Sequence, residues 1–214
     1  MSLINRHRRY CYRITHIQNL PLILQNGIVT KNHINASDEY IHIGNPEIID
    51  VRSTAPVRID GYGNIGDYVP FYFTPKSIML YNIITGYWHP LVTKRNRYEI
   101  LVIRCIIDNL AQLLWWFFTD GQGNDMASKH YNNIAQLDNI DWECIQQSSF
   151  SKSADDFDKP RRYQAEFLVH DYVPLKCIES LNVYDQNAAT FVKNELHQSN
   201  INLALKIKPK YFFK

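Results

Sequence analysis

The stretch Glu99 to Ile107 (EILVIRCII) limits the fold more than any other. Ile, Leu and Val dominate it, and such residues suit a pleated, buried surface. A strand apolar on both faces sits at the centre of a sheet with layers packed above and below it. Tyr68 to Phe73 (YVPFYF) and Trp115 to Phe118 (WWFF) are strongly β-type, and Tyr10 to Ile14 is a shorter strand. The tail Ile201 to Phe213 alternates Leu203, Leu205 and Ile207 with polar partners, which predicts a final strand. Its lysines, Lys206, Lys208 and Lys210, share one face, as on a solvated sheet edge.

Few helices lie between these strands. Thr15-His16-Ile17-Gln18 has the capping-box pattern, and Ile17, Leu20, Ile23 and Leu24 follow at helical spacing. Pro21 belongs in the first turns, and Gly27 is a natural stop. Thr74-Pro75 reads as a second helix start, with Met79, Leu80, Ile83 and Ile84 as its buried stripe and Gly86 as its end. Asn124 to Leu137 reads as a polar helix, and Ala188, Phe191, Val192 and Leu196 stripe the last one. Lys31 to Tyr40 is a polar loop. Gly44-Asn45-Pro46 is a turn leading into Asp50 to Thr54, and Val57-Arg58-Ile59 is a short alternating run. Asp156 to Pro160 is a charged loop. The order is α+β, without regular βαβ alternation. The length of 214 residues predicts one domain over 1–214.

Composition excludes several classes. Hydrophobic residues make up 45% and charged residues 21%, an ordinary globular balance. A net charge of +2 does not by itself indicate a nucleic-acid partner. Cys11, Cys105, Cys144 and Cys177 are scattered, and the eight histidines lack ligand spacing, so no metal is expected. Asp60 to Gly66 holds three of the eight glycines but lacks the strand and helix of a phosphate loop. Gly-x-Ser-x-Gly and spaced carboxylate pairs are absent too. Met1 to Arg13, with its basic cluster Arg6 to Arg9, is unlike a secretory signal, and no apolar run suits a bilayer span. No membrane association and a cytoplasmic setting are expected.

Arg161 to His170 (RRYQAEFLVH) reads as a buried strand with one carboxylate. Period two puts Gln164, Glu166, Leu168 and His170 on one face. A lone Glu among apolar neighbours is costly unless it is paired or lines a cavity. Arg161 and Arg162 stand at the mouth, where they hold phosphate or neutralise aspartates such as Asp155 and Asp156. From this stretch alone, a structural carboxylate and a functional one are equally supported. His16, Arg52, Lys76 and Asp120 are the other polar residues in apolar contexts. One carboxylate, one His and one Arg suit rupture of a glycosidic bond to a good leaving group, as when nicotinamide leaves NAD. There a fixed carboxylate stabilises the developing positive charge, and an Arg holds phosphate.

Ordered blocks add to this. Tyr12-Arg13-Ile14-Thr15-His16-Ile17 with Asn19-Leu20-Pro21 comes first, then Ile43 to Ile48 (IGNPEI) and Arg52. Asp67 to Phe73 (DYVPFYF) follows, with Pro75, Ser77 and Met79-Leu80-Tyr81. Phe118-Thr119-Asp120-Gly121, Asp141-Trp142-Glu143 and Gln164 to Val169 (QAEFLV) complete the series. In these blocks the chain resembles the DarT family of DNA ADP-ribosyltransferase toxins along nearly its whole length. The resemblance implies an ADP-ribosyltransferase-like fold with a split β-sheet core and peripheral helices, and NAD as co-substrate in the cleft. It implies transfer of ADP-ribose to a base of single-stranded DNA, thymidine ahead of guanosine. By position, Glu166 and Arg52 are catalytic. His16, Thr15, Asn19, Gly27 and Arg52 bind NAD, beneath the loop Lys31 to Tyr40. Lys76, Gln122, Arg161 and Arg162 face DNA. A macrodomain antitoxin that reverses the mark is the implied partner, and a monomer is expected. Gln122 and Gly66 stand where many family members have His. Two other readings fit the residues: the same fold acting on protein, RNA or water, and a non-enzymatic single-stranded nucleic-acid module using the 14 tyrosines for stacking.

Overall fold

The computed structural model describes residues 9–213. Arg6, His7 and Arg8 of the basic cluster lie outside the described residues. The first part of the chain runs β1 (Tyr10–His16), α1 (Leu20–Asn26), β2 (Ile28–Val29), α2 (Pro46–Thr54), β3 (Tyr68–Tyr72), α3 (Ile78–Thr85), β4 (Ile100–Ile106) and α4 (Ile107–Leu110). Then come β5 (Trp116–Thr119), β6 (His130–Tyr131), α5 (Trp142–Gln146), α6 (Lys159–Tyr163), β7 (Glu166–His170), β8 (Tyr172–Val173), β9 (Ile178–Val183), α7 (Gln186–Gln198) and β10 (Leu205–Ile207).

An eight-stranded sheet in the order β10-β9-β4-β1-β3-β7-β5-β6 forms the centre. Its pairs are antiparallel except β9 with β10. β4 lies inside it, as its composition requires. Leu101 and Ile103 point into a core with Leu20, Leu24 and Val192 of α1 and α7. Ile100 and Val102 point the other way, onto Leu80 and Ile83 of α3. Each such side chain is worth about 1.5–3 kcal/mol when fully buried, so both helical layers are held by one strand.

The β1–β4 ladder runs without a break from Tyr10↔Ile106 to His16↔Ile100, whereas β1 meets β3 only at Tyr12↔Tyr72. The sheet therefore opens between β1 and β3, as the expected split core requires. Pro70 in β3 has no N–H for a ladder, and its carbonyl instead accepts from Arg13 Nη1 at 3.2 Å.

Several local expectations are corrected. The Thr15–Gln18 capping box does not form, because pairing with β4 keeps Thr15 extended; His16 caps the following turn, with Nδ1 accepting from the Gln18 N–H at 3.2 Å. Gly44-Asn45-Pro46 opens a helix, α2, rather than a turn and a strand-like run. Asn45 Oδ1 caps the Glu47 N–H at 2.9 Å, and Pro46 has the φ a first helical residue needs. No residue of α2 is buried, so no apolar stripe announced it. The second helix starts at Ser77, which caps the Leu80 N–H, and not at Thr74-Pro75. The polar helix over Asn124 to Leu137 is reduced to a 3-10 stretch, Ile134–Asn139; before it, His130 and Tyr131 pair with Thr119 and Phe118 instead. The strand expected from Arg161 starts at Glu166, because Arg161 to Tyr163 belong to the short helix α6, with Pro160 in its first turn. In the tail only Leu205–Ile207 is extended, and Lys206 pairs with Glu179 at 2.9 Å.

All four cysteines are buried and free. Among the described residues, no group of three or more metal-ligating side chains converges and no helix is long and apolar enough to cross a membrane.

Candidate active site

Glu166, the first residue of β7, is 1% exposed. Arg52, in the last turn of α2, meets it with a fork: Nη1 to Oε1 and Nη2 to Oε2, each 2.9 Å. Two parallel charge-assisted bonds fix the carboxylate in plane as well as in charge. The Gly123 N–H donates to Oε1 at 3.1 Å, and the Glu166 N–H donates to Thr119 Oγ1 at 3.2 Å. Burial opposes the Arg52 charge, but the carboxylate beside it holds the guanidinium above its ordinary value. Burial, then the Glu166 charge, pushes the Tyr72 phenol up, so that it stays protonated and can donate.

α2 reaches Glu166 because Gly66 lets the next segment pack against its end. A Cβ at Gly66 would stand 2.7 Å from Ser53 Cα and 3.0 Å from the Arg52 carbonyl oxygen. A side chain at this position would require the end of α2 to shift.

A cavity of about 770 Å³ occupies the opening between β1 and β3 and reaches the Arg52–Glu166 pair. That volume is within the range of small-molecule sites, roughly 300–1,000 Å³. The loop Lys31 to Tyr40 contributes Lys31, Asp38 and Tyr40 to its wall. Asn19 fastens that loop: Nδ2 donates to the Ile41 carbonyl at 2.9 Å, and Oδ1 accepts the Ile41 N–H at 2.8 Å. Thr15 Oγ1 is 2.8 Å from the Tyr40 hydroxyl and accepts from Asn19 Nδ2 at 2.9 Å.

Among the residues expected to hold NAD, Arg52 and Thr15 line the cavity. Asn19 stands behind it. The His16 ring lies outside the lining, with Nε2 buried, unbonded and 3.7 Å from Glu99 Oε1. Burial, then the Arg95 charge, lowers the His16 pKa, so the imidazole is neutral. Gly27 also lies outside the lining; with φ 73° it closes α1, and a Cβ there would stand 2.7 Å from the Val173 carbonyl.

Among the residues expected to face DNA, Gln122 lines the cavity and Lys76 Nζ sits 5.7 Å from the Phe213 ring centre. Arg161 pairs with Asp158 at 2.7 Å and Asp120 at 3.2 Å. Arg162 pairs with Asp156 at 2.8 Å and Asp141 at 2.9 Å. Both arginines thus neutralise aspartates of the chain, Asp156 as expected, with Asp120, Asp141 and Asp158 in place of Asp155. Gln164 lines the cavity beside Glu166, but from the cap of α6 rather than from a strand face.

Arg13 escaped the sequence reading as a site residue. It lines the cavity, its Nε is buried without a partner, and among the described residues no ion pair joins it to a carboxylate. A guanidinium has five donors, and this one uses Nη1 on Pro70. Burial, then the charges of Arg13 and Lys31, lowers the His42 pKa in the same wall. The cavity wall therefore offers Arg13 donors to spare, near a carboxylate already matched by Arg52. The signal was available: Arg13 sits two residues before Thr15 on one strand.

The sequence model of DarT, described as ssDNA thymidine ADP-ribosyltransferase, matches residues 12–213. A DNA ADP-ribosyl transferase of Escherichia coli O127:H6 (strain E2348/69 / EPEC) is 32% identical over 211 residues, 98% of this chain and 96% of that protein. Thermus sp. 2.9 DarT in complex with ADP-ribosylated ssDNA superposes with a TM-score of 0.86 at 29% identity, covering 96% of this chain and 97% of that one. Its complex with NAD+ gives 0.82 at 28% identity, covering 96% and 98%. A DNA ADP-ribosyl transferase-DNA ADP-ribosyl glycohydrolase fusion protein of Thermosipho africanus (strain H17ap60334) is 25% identical over 211 residues, 96% of this chain and 50% of that protein. The chain belongs to the DarT family of DNA ADP-ribosyltransferases.

Proposed function

We propose that this protein moves ADP-ribose from NAD to thymidine in single-stranded DNA, with Glu166 and Arg52 as its catalytic residues. The observation that carries the reading is the forked Arg52–Glu166 pair at the wall of the cavity in the split sheet. NAD suits that cavity by size. Its pyrophosphate offers acceptors for the unused donors of Arg13.

In the reaction, the bond from ribose C1′ to the nicotinamide nitrogen breaks, and nicotinamide leaves with the electron pair. Positive charge develops on the ribose, and the Glu166 carboxylate, held by Arg52 and the Gly123 N–H, stabilises it electrostatically. A base nitrogen then donates its pair to C1′ and releases its proton to solvent, and Arg52 favours the electron-rich form of that base. A preorganised carboxylate does not reorient as the charge appears, and this is why the fork matters for rate.

Modification of DNA bases in a cell needs reversal, so the enzyme acts as a cytoplasmic toxin paired with a macrodomain antitoxin. The Thermosipho africanus relative, which joins a transferase to a glycohydrolase, supports such a pairing. Incubation with NAD and mixed single-stranded oligonucleotides, followed by mass spectrometry, tests the reading. One added ADP-ribose on thymidine is expected; addition on guanosine corrects the base, and no addition on any oligonucleotide by folded protein refutes the reaction.

Arg13→Gln is expected to raise the KM for NAD about ten- to a hundredfold, as loss of a charge-assisted contact does. The kcat should stay within a few-fold, because phosphate is held alike in ground and transition states. An unchanged KM would remove Arg13 from pyrophosphate binding.

A further inference from the structure

The segment Asp120 to Lys129, between β5 and β6, carries Gly123, whose N–H is bonded to Glu166 Oε1 at 3.1 Å. This segment is irregular, so its shape depends on side chains that grip it from outside. Arg58 Nη2 donates to the carbonyls of Asp125 at 2.7 Å and Ser128 at 2.8 Å. Arg161 Nη1 donates to Ser128 Oγ at 3.0 Å. His130 completes the grip. Its Nε2 lies 3.0 Å from the Gly123 carbonyl oxygen, and its Nδ1 accepts the Arg58 backbone N–H at 3.0 Å. The ring stacks on Phe117 at 5.1 Å between centres. A proton on Nε2 and none on Nδ1 satisfies both backbone contacts. Gly123 is thereby held at both ends, its N–H by Glu166 and its carbonyl by His130, and neither His130 nor Arg58 lines the cavity.

We propose that His130, oriented by Arg58, is a positioning residue for transfer: it holds Gly123 so that the Gly123 N–H stays on the Glu166 carboxylate. This rests on the reading of Glu166 as the catalytic carboxylate. Protonation releases the clamp. A second ring proton would sit on Nδ1, against the Arg58 N–H, and would add a positive charge to a ring whose Nε2 is 3.0 Å from the Arg58 guanidinium. Burial, then Arg58, lowers the His130 pKa, while the Gly123 carbonyl, Glu166 of β7 and Asp120 beyond β5 act in the opposite sense. Because the folded value is lowered, the clamp is intact above the ordinary histidine range and is lost as pH falls through the folded value.

The test compares wild type, His130→Gln, His130→Phe and Glu166→Gln in steady-state kinetics with NAD and a single-stranded oligonucleotide, from about pH 5 to about pH 8. His130→Phe keeps an aromatic ring against Phe117 and loses the donor; its kcat is expected to fall about ten- to a hundredfold, with the KM for NAD unchanged. The Gln amide donates to the Gly123 carbonyl, accepts from Arg58 and does not titrate. His130→Gln should therefore keep a near wild-type kcat at neutral pH and lose the acid limb that wild type shows below the ordinary histidine pKa. Wild-type kcat in His130→Phe, a Gln variant as slow as the Phe variant, or an acid limb that is absent from wild type or persists in His130→Gln overturns the proposal. If His130→Phe does not fold, the pH profile of His130→Gln decides alone. Full activity in Glu166→Gln overturns the underlying reading of Glu166 and is distinguishable from each of those results.

Discussion

Glu166→Gln is expected to lower kcat for ADP-ribosyl transfer on the order of a hundred- to thousandfold, ~3–4 kcal/mol of activation free energy. The substitution keeps the shape of the side chain and removes the charge that, in the proposed reaction, faces the ribose in the transition state. Its structural cost is separate. One amide NH₂ now meets an Arg52 N–H, donor against donor, where the carboxylate had accepted at 2.9 Å on both oxygens. A buried group left without a partner loses about 1–3 kcal/mol of stability, so unfolding is measured beside kinetics. A folded variant with wild-type kcat removes Glu166 from the chemistry.

Removing the other half of the pair has the larger effect on stability. Arg52→Met leaves a carboxylate buried without its cation, and breaking such a pair from one side destabilises by about 3–5 kcal/mol. Solvent screening offers little relief, because the Arg52 and Glu166 side chains are 13% and 2% exposed. Urea unfolding at neutral pH measures the loss. The double variant Arg52→Met, Glu166→Gln should be more stable than Arg52→Met alone, because no charge is then stranded, and this coupling is what a double-mutant cycle reads. Additive effects would mean that the two side chains do not depend on each other. Transfer should fall in all three variants.

The parts of this fold legible in the sequence are those set by short-range alternation. β4 declares itself by being apolar on both faces, and both faces are packed. α7 shows its stripe, and Ala188, Val192 and Leu196 are buried. α2 did not show itself, because a surface helix has no apolar stripe, and the Asn45-Pro46 cap was its one signal. α6 was hidden because it is one short turn, too brief for a periodic stripe, with Tyr163 its single buried residue. Gln164 was assigned to the cavity by strand alternation and lines it from a helix cap, so the location agrees while the reason differs.

The site divides in the same way. The sequence by itself determined that Glu166 sits on a buried strand, because a carboxylate within Ala165 to Val169 has nowhere else to go. The ordered blocks determined the family. Only the tertiary structure decided which cation that carboxylate meets. Arg161 and Arg162 are its neighbours in sequence, yet they are drawn to Asp158, Asp156, Asp141 and Asp120. Arg52 is 114 residues away and reaches it because Gly66 lets α2 close over the opening between β1 and β3. Alternation is a property of adjacent residues and can be read along a chain. A pairing across a cleft depends on how helices and strands pack, and no local pattern encodes it.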